Sequence, residues 1–335
     1  MLDPARTGRD LHRSIYDSAA GALLDRLEVG GAHAVMHLCR ALPDPGRTSF
    51  ANLLRDTAFQ LLSRQRQICY GNLTIVRGSV WEPERIRSFT KEVFGYWCRA
   101  FIDFARLRME MTRANWDNFL SSTGLEKVDQ ALDEYGGGIL VSPHLGNWEF
   151  ATQTLVLKGY PVTSVARRRT KSSSLDRDLL AWRTKWGQRI LYKEESPREI
   201  LRRLQDGELI GMVADQYAGR DGVFTDFFGA PTSHYAGPAV LADRAEVPII
   251  PGYCYRDAEK GTYKLVAMDP LFPDRGRPRE ERVQHLTGQL FERMEGMIRS
   301  HPKQWLWFHR KWRAKWLPDR YLELLNAAPY MSSDS

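Results

Sequence analysis

The sequence predicts an α/β protein: a mostly parallel central sheet flanked by helices, with an N-terminal helical segment. Two observations carry this. From Gly136 onward, short apolar runs alternate with segments of helical period, as strand–helix–strand units do. Before Gly136, apolar residues recur at three- and four-residue spacing instead. With 335 residues the chain can bury a large core. On this reading it divides into an N-terminal helical segment packed on the core (1–120), an α/β core (121–320) and a C-terminal tail (321–335).

The elements follow in order. Pro83 suits a helix start, and Glu82 and Glu84 suit its positive end. Ile86, Phe89, Val93, Trp97, Phe101, Phe104 and Met111 then form an apolar stripe, with Arg85, Arg87, Lys91, Arg99, Arg106 and Arg108 largely between them. A core-packed helix with a solvated basic face is the plain reading, and an amphipathic helix on anionic lipid is the sharper one. Ile139-Leu-Val and Pro161 to Ala166 read as strands. Asp176 to Trp186 has helical character, and Arg189 to Tyr192 is strand-like. Pro197 to Leu204 reads as a helix before the Asp206-Gly turn. Leu209 to Ala214 is a strand running into Asp215. A helix from Gly237 to Arg244 precedes Val247-Pro-Ile-Ile, Tyr263 to Ala267 is a further strand, and Glu281 to Ser300 is a long amphipathic helix.

Bulk properties narrow the partners. The net charge of +7 favours an anionic partner: nucleic acid, membrane surface, phosphorylated substrate or acidic carrier protein. Cys39, Cys69, Cys98 and Cys254 are scattered without a C-x-x-C pair, so neither a zinc ribbon nor a redox motif is expected, and reduced thiols in a cytoplasmic compartment are. No secretory leader is visible, and no uncharged apolar run nears the roughly 18 residues of a spanning helix. A soluble or peripheral rather than integral protein is therefore expected.

The richest chemistry lies in Ile139-Leu-Val-Ser-Pro-His-Leu-Gly-Asn-Trp-Glu149. A strand delivers His144 to the top of the sheet, Gly146 and Asn147 turn the chain, and Glu149 arrives about one helical turn on. A histidine fixed by a carboxylate is a general base. On spacing alone, H-x4-E is unspecific, and a strand-end histidine bonded to a backbone carbonyl is the plainer reading. Asp215 also stands at a strand's carboxyl end, where ligands of α/β sheets bind. No G-x-S-x-G elbow is present, which argues against an acyl-enzyme on serine. Direct transfer would need a base plus an oxyanion donor, for which backbone N–H groups near Leu145 and Gly146, or an arginine, are candidates. Phe224, Phe227 and Phe228 fit plain core, with acyl-channel lining as the sharper alternative. His234 and His309 have no assigned role, His309 reading as structural. His144, Glu149, Asp215 and His234 lack any metal-ligand spacing.

Taken in order, His144-Leu-Gly-Asn-Trp-Glu149, Ser164-Val-Ala-Arg167-Arg168, Asp215-Gln216-Tyr-Ala-Gly219 and Gly222-Val-Phe-Thr-Asp-Phe-Phe-Gly229 resemble the lipid A biosynthesis acyltransferase family, within the glycerolipid acyltransferase superfamily. Arg66-Gln-Ile-Cys-Tyr-Gly-Asn-Leu and Pro302-Lys-Gln-Trp-Leu-Trp-Phe-His-Arg-Lys-Trp312 resemble its early and closing segments. The resemblance implies that His144 is the base and Glu149 its partner, acting on an acceptor hydroxyl that attacks an acyl thioester. It puts Arg167 or Arg168 on the acceptor phosphate, and Asp215, Gln216 and Asn147 at the substrate. No cofactor is implied. The partners would be acyl carrier protein or acyl-CoA as donor and an anionic lipid as acceptor, with the enzyme peripheral on the inner face of the cell membrane. The acceptor would be a phosphorylated lipid or glycolipid such as a lipid A precursor, or alternatively a phosphatidylinositol mannoside, an ornithine-type lipid or a specialised metabolite. The chain departs from the family's apolar N-terminal anchor, because Ala19 to Pro43 is broken by Asp25, Arg26, Glu28 and Arg40. A remote alternative from another class is a nucleic-acid binder using Trp305, Trp307, Trp312 and Trp316 among basic residues.

Overall fold

The computed structural model describes residues 19–167, 174–192 and 197–328. Among the described residues four helices lead: α1 (Ala19–Ala41), α2 (Asp44–Leu61), α3 (Ser63–Arg77) and α4 (Pro83–Glu110). None of the described helices is long and apolar enough to cross a membrane. The stripe on α4 is buried at Ile86, Phe89 and Val93, while Phe101 is 52% exposed. Most of the helix's cations meet carboxylates: Arg85 pairs with Glu92, Lys91 with Asp56, Arg106 with Glu110 and Arg108 with Asp178. That pairing fits the core-packed reading of α4 better than a lipid-facing one.

The α/β part then follows as β1 (Leu120–Thr123), α5 (Glu126–Tyr135), β2 (Gly138–Ser142), α6 (Trp148–Leu157), β3 (Val162–Ala166), α7 (Ser174–Thr184), β4 (Arg189–Tyr192), α8 (Pro197–Gln205), β5 (Leu209–Val213), a hairpin of β6 (Val223–Phe227) and β7 (Ala230–His234), α9 (Gly237–Ala245), β8 (Ile249–Arg256), β9 (Tyr263–Ala267), α10 (Arg279–Ser300) and α11 (Asp319–Ala327). The sheet order is β1-β9-β8-β2-β5-β3-β4. Every neighbouring pair is parallel except β8 and β9, a mostly parallel sheet as the alternation predicted.

Two apolar clusters sandwich the sheet. Ile139, Val141 and Ile210 face one, with α3, α9 and α10. Phe150, Leu155 and Trp182 belong to the other, against Leu140 and Ile250. Helix α4 feeds both, through Phe89 and Val93 near its start and Leu107 near its end. Buried Asp103 ties the same helix to the sheet, accepting from Arg256 Nε at 2.6 Å and from the Tyr263 hydroxyl at 3.3 Å.

Among the features not read from the sequence are β1, the helices α5, α6 and α11, the β6–β7 hairpin, and the extension of the Val247-Pro-Ile-Ile strand to Arg256. The hairpin turns at Phe228 and Gly229, both with positive φ (55° and 77°). A bulky residue rarely accepts that conformation, so the usual Asn-Gly signal is missing. Phe228 is held there by its backbone N–H donating to Glu295, at 2.5 Å. Phe227 and Phe228 are core, and Phe224 is 41% exposed. None of the three lines the cavity described below.

Candidate functional site

Strands β2 and β5 pair in parallel with Ser142 opposite Val213. His144 and Asp215 each lie two residues beyond those positions, so in-register pairing brings them side by side. The Asp215 Oδ1 atom stands 2.5 Å from His144 Nδ1, and its Oδ2 accepts the His144 backbone N–H at 2.8 Å. Oδ2 also accepts Trp305 Nε1–H at 2.7 Å. Burial pushes the Asp215 carboxyl up, but His144, His309 and the Trp305 bond outweigh it and hold the group well below the usual carboxylate range. His144 Nε2 has no hydrogen-bond partner among the described residues, and the ring helps to line a cavity of about 1040 Å³.

Glu149 is not the residue on the His144 ring. It receives Arg183 Nε at 2.9 Å and also binds Arg183 Nη2, a bidentate fork. The expected His144–Glu149 pairing is replaced by His144–Asp215, because the register of two strands, not one helical turn, sets the approach. Burial works against the Arg183 charge and Glu149 outweighs it, raising its pKa. Arg183 Nη1 keeps no partner among the described residues, and Arg183 and Glu149 both line the cavity.

The turn after His144 depends on Gly146. Its φ is +64°, and a Cβ there would collide with the Cys254 carbonyl. Asn147 donates its backbone N–H to Cys254 at 2.8 Å, and its side chain caps α6 by accepting Phe150 N–H at 3.1 Å. The cap uses the side chain predicted to meet substrate, and Asn147 is not on the cavity wall. Asp215 is likewise fully buried behind His144 rather than on that wall. Gln216 and Arg167 do line the cavity, whereas Arg168 lies outside the described residues. The candidate oxyanion donors are occupied: Leu145 N–H bonds Pro143 O at 2.7 Å and Gly146 N–H bonds Gln304 O at 3.0 Å. An arginine is left as the candidate donor.

Elsewhere the site is wired to the closing segment. Leu306 N–H donates to His144 O at 2.9 Å, and Leu145 bridges Trp305 in antiparallel fashion. Trp305, Trp307 and Trp312 are buried, so they offer no faces for nucleic-acid bases; only Trp316, at 39%, is substantially exposed. The His309 ring centroid lies 6.2 Å from that of His144, and burial lowers its pKa to about 4. His234 is buried beside Phe291, away from the cavity wall. Among the described residues, no cluster of three or more His, Cys, Asp or Glu could hold a metal ion.

Sequence reasoning missed Arg183 and Trp305. A signal for the first was present: Arg183 follows Leu179 and Leu180 by four and three residues, a charge on the apolar face of a helix. For Trp305 no local pattern reveals a partner 90 residues away.

The sequence model of the family described as bacterial lipid A biosynthesis acyltransferase matches residues 31–314. The phosphatidylinositol mannoside acyltransferase of Mycobacterium tuberculosis is 29% identical over 252 residues, 72% of this chain and 75% of that protein. The protein of the same description from Mycolicibacterium smegmatis is 30% identical over 248 residues, 71% of this chain and 76% of the relative. A lipid A biosynthesis acyltransferase of Haemophilus influenzae is 24% identical over 187 residues, covering 55% and 56%. With the family match running over residues 31–314, most of the chain, this chain belongs to the bacterial lipid A biosynthesis acyltransferase family and is an acyltransferase.

Proposed function

We propose that the chain moves a fatty acyl group from a thioester, carried on acyl carrier protein or coenzyme A, to a hydroxyl of a phosphorylated glycolipid. The observation that carries this is the orientation of His144: Nδ1 held by an ionised, buried Asp215, and Nε2 beside the cavity without a hydrogen-bond partner among the described residues. In this mechanism Nε2 takes the acceptor hydroxyl proton as that oxygen attacks the thioester carbonyl. The Nδ1–H···Asp215 bond stabilises the imidazolium that forms. The tetrahedral oxyanion then collapses, the C–S bond breaks, and the thiolate leaves with the proton from Nε2. The products are an ester and a free thiol.

The cavity's wall at Leu125, Val128, Leu140, Leu155 and Leu265 is apolar and suits the acyl chain. Arg167 and Arg183 bring positive charge to the same cavity and suit the acceptor phosphate. A phosphatidylinositol mannoside fits best as acceptor, since the relatives so described align over about seven-tenths of the chain. A lipid A precursor is the second reading, favoured by the family description and the Haemophilus relative. On this reading the enzyme works peripherally on the inner face of the cell membrane.

The test is a mass-spectrometric acyl-transfer assay. Wild type and His144→Ala would each receive acyl-CoA and acyl carrier protein thioesters with phosphatidylinositol mannosides, lipid A precursors and lysophospholipids. Acylated product from wild type alone is the expected result and names the acceptor. Full activity in His144→Ala would overturn the reading of the base.

A further inference from the structure

We propose that Trp305 is a positioning residue for the reaction, acting through Asp215 to hold and tune His144. The proposal rests on the reading of His144 and Asp215 given above.

The geometry is specific. Asp215 has no solvent contact, and its carboxylate is fixed by three donors: His144 Nδ1, the His144 backbone N–H and Trp305 Nε1. The first two come from the residue being oriented. Trp305 is the donor that comes from elsewhere in the chain, and it meets Oδ2, the oxygen that His144 Nδ1 does not use. Without it, the carboxylate keeps one external anchor fewer against rotation about its Cβ–Cγ bond.

Trp305 is itself immobilised. It is fully buried, its ring packs at 4.6 Å from Trp307 and 5.3 Å from His309, and its carbonyl accepts Trp97 Nε1–H at 3.3 Å. Six residues on, buried Lys311 donates to the carbonyls of Gln216 (3.4 Å) and Ser233 (3.3 Å), so the closing segment also grips the residue after Asp215.

The choice of residue type has a chemical reason. Indole N–H only donates, carries no charge and does not titrate. It holds an ionised carboxylate in place without forming the competing ion pair that a cation would. The bond still withdraws some of the carboxylate's charge, and so limits how far Asp215 stabilises the His144 imidazolium. The other titratable groups bearing on Asp215 are His309, which burial keeps neutral above about pH 4, and Lys311.

The experiment compares Trp305→Phe with Trp307→Phe. Trp307 belongs to the same aromatic cluster, but its Nε1–H goes to Pro302 O. Trp305→Phe keeps the ring and removes the donor. Its kcat should fall by about 10- to 100-fold, in line with the loss of one hydrogen bond to a charged group, with the acceptor KM unchanged. The acidic limb of its kcat profile should move to higher pH, because an unshared Asp215 charge favours the imidazolium. Trp307→Phe should leave the limb in place, as a merely structural role would for both. Wild-type kcat and limb in Trp305→Phe, with His144→Ala and Asp215→Asn inactive, would overturn the positioning role and leave the base intact. Wild-type turnover in Asp215→Asn would overturn the underlying reading instead. Should Trp305→Phe not fold, ¹⁵N-indole spectra of wild type and Asp215→Asn decide. An indole N–H resonance that moves upfield in Asp215→Asn is expected, and no indole change overturns the proposal.

Discussion

The His144 Nδ1 and Asp215 Oδ1 atoms lie 2.5 Å apart, although 71 residues separate them in the chain. The pairing makes a sharp expectation. His144→Ala and Asp215→Asn should each cut kcat by about 10²–10⁴-fold, the range for losing a general base or its orienting partner. Glu149→Gln should cost less, because Glu149 meets Arg183 rather than the imidazole. Steady-state kinetics on the three variants decide the matter. A Glu149→Gln loss matching that of His144→Ala, with Asp215→Asn near wild type, would restore the H-x4-E pairing.

The Glu149–Arg183 fork leads to a second expectation. Arg183→Ala should raise the KM for a phosphorylated acceptor, and Glu149→Gln should do so to a smaller degree by releasing the guanidinium. Charge-assisted contacts of this kind contribute about 1.5–3 kcal/mol, so roughly a 10- to 100-fold KM change is expected. Arg167→Ala combined with Arg168→Ala should also raise it. Measuring acceptor KM at saturating donor separates the arginines. An unchanged KM in all of them would move phosphate binding out of this cavity.

How far the sequence revealed this site depends on the range of each contact. Strands such as Arg189–Tyr192 and Tyr263–Ala267, and helices such as α9, were legible because their periodicity and flanking turn residues are local. His144 was legible because a strand's end is local too. Its partner was not. Asp215 reaches His144 only through the pairing of β2 with β5, a choice of sheet order that no spacing within either strand encodes. The same argument covers Trp305, which follows a single 3-10 turn (Pro302–Gln304) and reaches the site through an isolated bridge to Leu145. Asn147 is the local case: its Oδ1 caps α6 through Phe150 N–H, a partner only three residues away and so of the kind a sequence shows directly.

Acyl-chain selectivity should reside in the cavity's apolar wall. Leu140 lies on a central strand yet is only half-buried, because the cavity runs over it. Leu140→Trp fills part of that volume. The preferred acyl chain should then shorten by about two to four carbons. At roughly 0.8 kcal/mol per buried methylene, kcat/KM for the longest chain that wild type uses well should fall by about 15- to 200-fold. A thioester series of graded length reads this directly. An unaltered profile would place the chain outside the cavity.

Lys311 gives the folded state a pH dependence of its own. The side chain is fully buried, and burial lowers its pKa from 10.5 to about 7. The unfolded chain therefore binds this proton more tightly than the folded one between those values. Where the unfolded state carries more protons, stability rises with pH, so stability should increase from pH 7 upward. The contribution of one such group is at most about 1.4 kcal/mol per pH unit. Above about pH 9 the buried thiols act in the other direction: burial raises Cys69 to about 12, and the unfolded chain loses that proton first. The clean window is pH 7 to 8.5. Urea midpoints measured across it should climb for wild type and flatten for Lys311→Met. A flat wild-type profile would mean that Lys311 keeps its proton in the folded state, held by the Gln216 and Ser233 carbonyls strongly enough to offset its burial.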